Sequence, residues 1–599
     1  MRLVLRHTPS RDFSSFVARH GRKTLGKDSL VLIEGGKEWR RTRNVVQKAF
    51  TIGAIEGGRG AVGECAVAMV GWLMKMVDGS GGEHCANGCN GHKCVQDKET
   101  GKDRNVVCLD VEYFFKLFSL DVFGRVTMDY DFECLKKATS IDNNDNHHDN
   151  NKTTCTCFTS PPEAAAFEYL ERDIGVRASP KNLLNPLIQS YWLPTKHNRE
   201  YHANLKLVNT LMEGVIGLKL DEFLSRARQR QLEPKQKQDN GRDEEEEHNM
   251  ITMMLRSVME QYYQQQPKDQ QKQQQHHHQL NSSTASSNNT SSSSSSCPFS
   301  SSSTTTSFQA SDNIDNIIPT TAMTKSDRTQ IINNVSHILH TLLVAGYETT
   351  AISLSYTMYC LSKHPRCQDR ACEEARRVLP TLNDNTKFDE DALPYCKAVI
   401  METLRVHTPV IFTTRVSSKD LTLDTDDNGG MVTIPKDTRF IIHPTMVHSD
   451  ERNFDRAEEF IPERWVRWEN GGWVDRDFEK ERKLADGAAS DKAATAAAAD
   501  PTTQMPPPPS PLSDKYTKEN AHADTISAAN PQSFFAFSDG ARNCIGRRLA
   551  IMEMTIFVAV LFRDMCVDLA EEGYELVKER RFVILAPNTL PIAFWKRDE

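Results

Sequence analysis

Followed by the spacing of its apolar positions, the chain is helical over most of its non-repetitive length. The clearest stretch is 326–362, where Ile331, Ile332, Val335, Ile338, Leu339, Leu342, Leu343 and Gly346 recur at the 3,4 spacing of one helical face. The same period predicts helices over 204–225, 368–379, 389–406 and 545–565. Short β-rich runs occur at 419–424, 431–434, 438–443 and 582–594, with turn residues such as Asp427 and Gly429 among them. The expected fold class is mainly α, a helical body with small β-sheets attached.

Four stretches break this pattern: 79–105 (Gly, Cys, His, Lys), 141–153 (Asn, Asp, His), 263–325 (Gln, His, Ser) and 481–525 (Ala, Pro). Each lacks the apolar content that offsets the entropy of ordering, so each is expected to be a disordered insertion in a single domain of 599 residues. The remainder, in a chain 38% hydrophobic, suffices for a sizeable core. A net charge of -8 argues against a nucleic-acid partner. Fifteen cysteines, scattered and odd in number, fit no disulfide scaffold and indicate a reducing compartment with thiols acting as small buried hydrophobes. No run reaches the roughly 18 apolar residues that span a bilayer.

The chemistry concentrates at Phe537-Ser-Asp-Gly540-Ala-Arg542-Asn-Cys544-Ile-Gly546, which fits FxxGxRxCxG at every fixed position. A chance match is expected in on the order of one chain in ten thousand. Gly540 and Gly546 permit a tight turn and close approach of backbone to a flat ligand. Cys544 stands just before a helix, whose N-terminal dipole favours a thiolate. Arg542 is placed to meet an anionic group with a charge-assisted bond. On these residues the chain resembles the cytochrome P-450 haem-thiolate monooxygenase family, of eukaryotic microsomal type.

The resemblance implies the P-450 fold and haem b (iron protoporphyrin IX), with Cys544 as axial ligand of the iron and Phe537 and Gly546 in the loop that holds it. It implies insertion of one oxygen atom of O2 into a lipophilic small molecule. Electrons would come from NADPH through a separate reductase, or from a ferredoxin-type donor. Ala345-Gly346-Tyr347-Glu348-Thr349-Thr350 matches the segment that bends beside the iron in the family, which assigns proton delivery to Glu348 and Thr349. Gly36-Lys-Glu-Trp39-Arg-Arg-Thr-Arg43 matches the family's WxxxR helix. Trp39, Arg43, Arg415 and Arg542 would then meet haem propionates.

Glu402 and Arg405 lie one helical turn apart, a spacing shared by Glu38/Arg41, Glu373/Arg376 and Glu374/Arg377, which read as solvated ladders. Only the order of motifs, through Pro409, Arg415 and Arg464 to the cysteine loop, sets Glu402 and Arg405 apart. By resemblance they form a structural ion-pair triad with Arg464. Thr408 departs from the family, which often has proline there. Substrate would be lined by Phe412, Thr413, Ala345, the stretch 183–192 and Pro587-Asn588-Thr589. Arg40, Arg41, Arg547 and Arg548 would face the electron donor.

The family implies membrane association and an endoplasmic reticulum location, with an organelle as the alternative. The N-terminal anchor, first helix and first strands of the family are expected to be missing, a truncation. The Arg- and Ser-rich first 25 residues admit a transit-peptide reading, but they match interior family sequence. Alternative readings are a haem-thiolate isomerase or dehydratase, against which the Glu348–Thr349 pair argues, and a non-catalytic haem-binding remnant. Gly58-Arg-Gly60-Ala-Val-Gly63 is a dinucleotide fingerprint only inside a βαβ unit, and nothing around it predicts one. Cys85, Cys89, His92 and Cys94 fit no established zinc spacing.

Overall fold

The computed structural model describes residues 21–26, 29–78, 92–96, 103–139, 161–178, 182, 185–232, 249–264, 323–382, 386–424, 431–469, 472–476, 533–581 and 583–597. Among the described residues, ten helices of 13 or more residues form the body: α1 (Gly36–Ala49), α2 (Arg59–Val77), α3 (Val111–Phe123), α4 (Pro162–Ala178), α5 (Lys196–Leu232), α6 (Met250–Gln264), α7 (Lys325–Lys363), α8 (Pro365–Val378), α9 (Pro394–Val406) and α10 (Arg547–Asp564). Strands β1 (His92–Gln96), β2 (Asp103–Asp110), β9 (Met565–Leu569) and β12 (Pro591–Lys596) make a four-stranded antiparallel sheet in the order β1-β2-β12-β9. Four hairpin-sized sheets pair β3 (Thr413–Val416) with β6 (Arg439–Ile442), β4 (Leu421–Asp424) with β5 (Met431–Ile434), β7 (Val466–Glu469) with β8 (Gly472–Asp475), and β10 (Lys578–Arg581) with β11 (Ile584–Pro587).

Helix α7 begins at a capping box: Asp327 N–H donates to Thr324 Oγ1 and Thr324 N–H to Asp327 Oδ2, both at 3.1 Å. Its predicted apolar face is largely core, with Ile331, Val335, Leu339 and Leu343 fully buried and α3 packed along it. The helix continues through Gly346 to Lys363. Its hydroxyls bond back along the helix, Thr349 to Ala345 O, Thr350 to Gly346 O and Ser353 to Thr349 O, so they enter the interior without orphan donors. Phe115 and Phe118 of α3 close on Phe557 of α10 at 5.2 and 4.8 Å.

Three expectations are corrected. Residues 92–96 and 103–105, assigned to a disordered insertion, lie in strands: backbone bonds onto an existing sheet need no apolar composition. Glu374 is no solvated ladder residue; it is buried and accepts from Tyr395 N–H at 2.9 Å and Cys396 N–H at 2.8 Å, capping the start of α9. One stretch, 52–77, does have the length and hydropathy to cross a membrane, but half of its most apolar window is buried in the helical body, as in a core helix. The Gly58–Gly63 pattern follows a short helix, Ile52–Gly57, instead of a strand. A Cβ at Gly63 would lie 2.0 Å from the Phe388 ring, so that glycine serves close packing. The stretches 141–153 and 481–525, residues 265–322, the first 20 residues, Asp427 and Gly429, and Cys85 and Cys89 lie outside the described residues.

Candidate functional site

The cysteine loop is built locally. Ser538 N–H closes a turn on Phe535 O at 2.8 Å, Cys544 N–H donates to Phe537 O at 2.9 Å, and Asp539 Oδ1 accepts from Gly540 N–H at 2.7 Å. Gly540 holds φ 73°, where a side chain would be strained. Gly546 has an ordinary φ of -84° and caps α10. A Cβ there would meet only Phe50, at 3.9 Å, so its glycine leaves open space beside the loop.

Among the described cysteines Cys544 is the exposed one, while seven others are buried. Burial pushes the Cys65 and Cys367 thiols up to about 12, leaving them inert. Cys544 opens on a cavity of about 1190 Å³ whose wall also carries Trp39, Arg43, Phe537, Arg542 and Gly546. That exceeds the roughly 300–1,000 Å³ of ordinary ligand sites, leaving room for a flat cofactor and a second molecule. Burial lowers the Arg43 guanidinium, and the charge at Cys544 partly restores it, so the two face each other.

The expected anion-binding arginines divide into distinct tasks. Arg43 lines the cavity and grips the loop, donating to Asn543 O at 3.0 Å and Asn543 Oδ1 at 2.8 Å. Arg542 lines it too, stacked 4.1 Å over the Trp39 ring, with its guanidinium donating to the carbonyls of Ile33 (2.9 Å) and Glu34 (2.6 Å). Arg415 is fully buried behind the wall, where it donates to Thr413 Oγ1, Thr414 O and Ser538 Oγ at 2.7, 2.8 and 2.9 Å. It thus ties β3 to the cysteine loop.

Glu402, Arg405 and Arg464 come together as a buried cluster. Glu402 accepts from Arg405 Nε (3.0 Å) and Nη2 (2.8 Å), Arg464 Nε (3.2 Å), Ile461 N–H (2.9 Å) and Trp465 Nε1 (2.9 Å). Arg405 Nη1 continues to His448 O at 3.0 Å, and His448 Nε2 accepts from Phe535 N–H at 2.8 Å, so the cluster reaches the loop through one histidine. With Nε2 accepting, Nδ1 carries the proton and donates to Arg405 O at 3.2 Å. Thr408, the family departure, lies 3.0 Å from that same Nδ1.

Glu348 and Thr349 both line the cavity, about 100° apart around α7. Thr349 is half-buried; Glu348 is buried, 3.9 Å from Arg581. Of the expected substrate contacts, Phe412, Thr413, Ala345 and Asn588 line the cavity. Within 183–192 the structure differs: Trp192 is 81% exposed, and the wall takes Asn182 from that region. Sequence reasoning missed Lys116, Glu168, Glu171, Glu553 and Arg581, all on the wall. Burial pushes the Glu553 carboxyl up to about 8, against relief from Ser119. No spacing rule marks these residues, which come from four segments, α3, α4, α10 and β10. The donor set fits haem: an exposed thiol, a guanidinium beside it and flat aromatic walls.

Comparison with known proteins agrees. The cytochrome P450 family model matches residues 1–481 and 512–592, passing over part of the 481–525 stretch. Relatives include the mouse mitochondrial 1,25-dihydroxyvitamin D(3) 24-hydroxylase (30% identical, over 43% of this chain and 37% of that protein). Others are human mitochondrial sterol 26-hydroxylase (27%, over 43% and 37%) and mouse cytochrome P450 3A16 (28%, over 41% and 36%). The chain spans 37% of the length of the first of these. Two of the three are mitochondrial by name, so the endoplasmic reticulum and the microsomal type find no support there.

Proposed function

Because the chain belongs to the cytochrome P450 family, we propose that it is a haem-thiolate monooxygenase that inserts one oxygen atom of O2 into a lipophilic small molecule. The exposed Cys544 on the wall of a large cavity, beside Arg43, carries this reading. Haem b held by a thiolate supplies the push toward O–O cleavage. The chain's own contributions follow from their places. Cys544 is the iron ligand, held by its N–H on Phe537 O. Trp39, Arg43 and Arg542 line the cavity and would hold the cofactor there, and Arg415 holds Ser538 in the loop. Glu348 and Thr349 hold and pass protons at the carboxyl and at Oγ1.

The mitochondrial relatives favour a ferredoxin-type electron donor over an NADPH-dependent reductase, and an organellar location. Arg40, Arg41, Arg547 and Arg548 are exposed and form the basic docking face for that acidic donor. The relatives act, by name, on vitamin D and sterols. The substrate here is accordingly read as a compact lipophilic ring system fitting between Ala345 and Phe412. The test is the absorption of the reduced, carbon-monoxide-bound protein, with turnover driven by a ferredoxin system. Cys544→Ser must abolish the thiolate signature and product formation; a variant that keeps both ends the proposal.

A further inference from the structure

At and behind the cavity wall around Glu348, polar and charged groups gather from four elements. Glu112 and Lys116 come from α3, Glu168 and Glu171 from α4, Tyr347 and Glu348 from α7, and Glu579 and Arg581 from β10. Lys116 lies 2.9 Å from Glu112 and 3.5 Å from Glu168; Arg581 pairs with Glu112, with Glu579 at 3.2 Å and with Glu348 at 3.9 Å. Arg172 reaches Glu168 at 2.5 Å from the solvent side, itself 66% exposed. Glu171 has no cation in the same contact range among the described residues. It accepts from Tyr347 Oη–H at 2.8 Å, and its carboxyl faces that of Glu348, the neighbour of Tyr347 on α7, with both carboxyl groups on the cavity wall.

Two carboxyl groups that face each other favour a shared proton, since an ionised carboxylate only accepts and one of the pair must donate. The charge balance says the same. Glu112, Glu168, Glu171, Glu348 and Glu579 face Lys116, Arg172 and Arg581, so full ionisation would leave an excess of negative charge around the half-buried Glu171 and the buried Glu348.

We infer that Glu171 is a second acid of the proton path, sharing one proton with Glu348 across the α4–α7 contact and resupplying it when Glu348 has discharged toward Thr349. This rests on the monooxygenase reading above. The proton leaves the Glu171 carboxyl for the Glu348 carboxylate, and Glu171 regains one from water at the partly exposed Glu168 edge; no electrons move. Burial and the neighbouring Glu348 charge hold the Glu171 carboxyl well above the ordinary range, against relief from Lys116 and Tyr347. Glu171 acts through Glu348 and is a positioning and supply residue.

The test uses the haem-loaded full chain at rest, read by infrared spectroscopy at pH 7. The wild type should show a deuterium-sensitive carboxylic C=O band that Glu171→Gln removes. In turnover, Glu171→Gln should retain the thiolate spectrum, lower product per electron by about 100-fold and shift the pH profile of coupling, while Glu171→Asp recovers most of it. No such band, or a Glu171→Gln pH profile equal to wild type, overturns the inference. A wild type with no thiolate signature and no turnover overturns the monooxygenase reading instead, a result the infrared band does not depend on.

Discussion

Substituting Glu402 by glutamine tests what the buried cluster contributes. The carboxylate is 0% exposed and accepts five hydrogen bonds, three of them from arginine. Glutamine keeps the shape and one acceptor oxygen, but leaves Arg405 and Arg464 as buried charges without a counter-ion. Removing one member of a buried pair costs about 3–5 kcal/mol. Arg405 retains the carbonyls of His448, Ala457 and Glu459, which favours the lower end, about 3 kcal/mol. Against a net stability of roughly 5–15 kcal/mol that is a large share. In urea unfolding followed by far-UV circular dichroism, the midpoint should fall by about 1 M. Glu373→Gln is the control, because Glu373 has the same spacing to an arginine but is exposed. It should change stability by less than about 0.5 kcal/mol. Equal effects of the two substitutions would refute the argument that burial separates them.

Acid should act through buried histidines. His448 and His407 are held down to about 3, and His340 to about 4, chiefly by burial. Between pH 6.5 and those values the unfolded chain takes up protons that the folded chain refuses, so stability is lost as pH falls through that window, at about 1.4 kcal/mol per pH unit for each refused proton. His448→Gln should therefore flatten the loss between pH 5.5 and 4.5 by about 1.4 kcal/mol in urea titrations; an unchanged slope would count against a neutral His448. At the basic face, charge reversal at Arg40 and Arg547 should raise the apparent Kd for an acidic electron donor and weaken its salt dependence, and an unaltered Kd would remove that face from the docking surface.

The cysteine loop and the long helices were legible from the residue order because their determinants are local. The period of α7 sits in consecutive turns, and the loop's turn, its left-handed Gly540 and its thiol sit within ten residues. What a carboxyl or guanidinium does at a distance was not legible. Glu402, Glu373 and Glu374 share one spacing to arginine, yet packing makes the first the centre of an ion cluster, leaves the second in water and turns the third into a helix cap. Arg415 and Arg542 were both read as propionate partners; Arg542 lines the cavity while also donating to the carbonyls of 33–34, and packing buries Arg415 against Ser538. Glu171 gave no signal at all, because its partner Glu348 arrives from a distant helix. Local backbone preference is written in neighbouring residues. Charge, protonation and hydrogen-bond partner depend on dielectric and on groups that only the folded chain brings within a few ångströms.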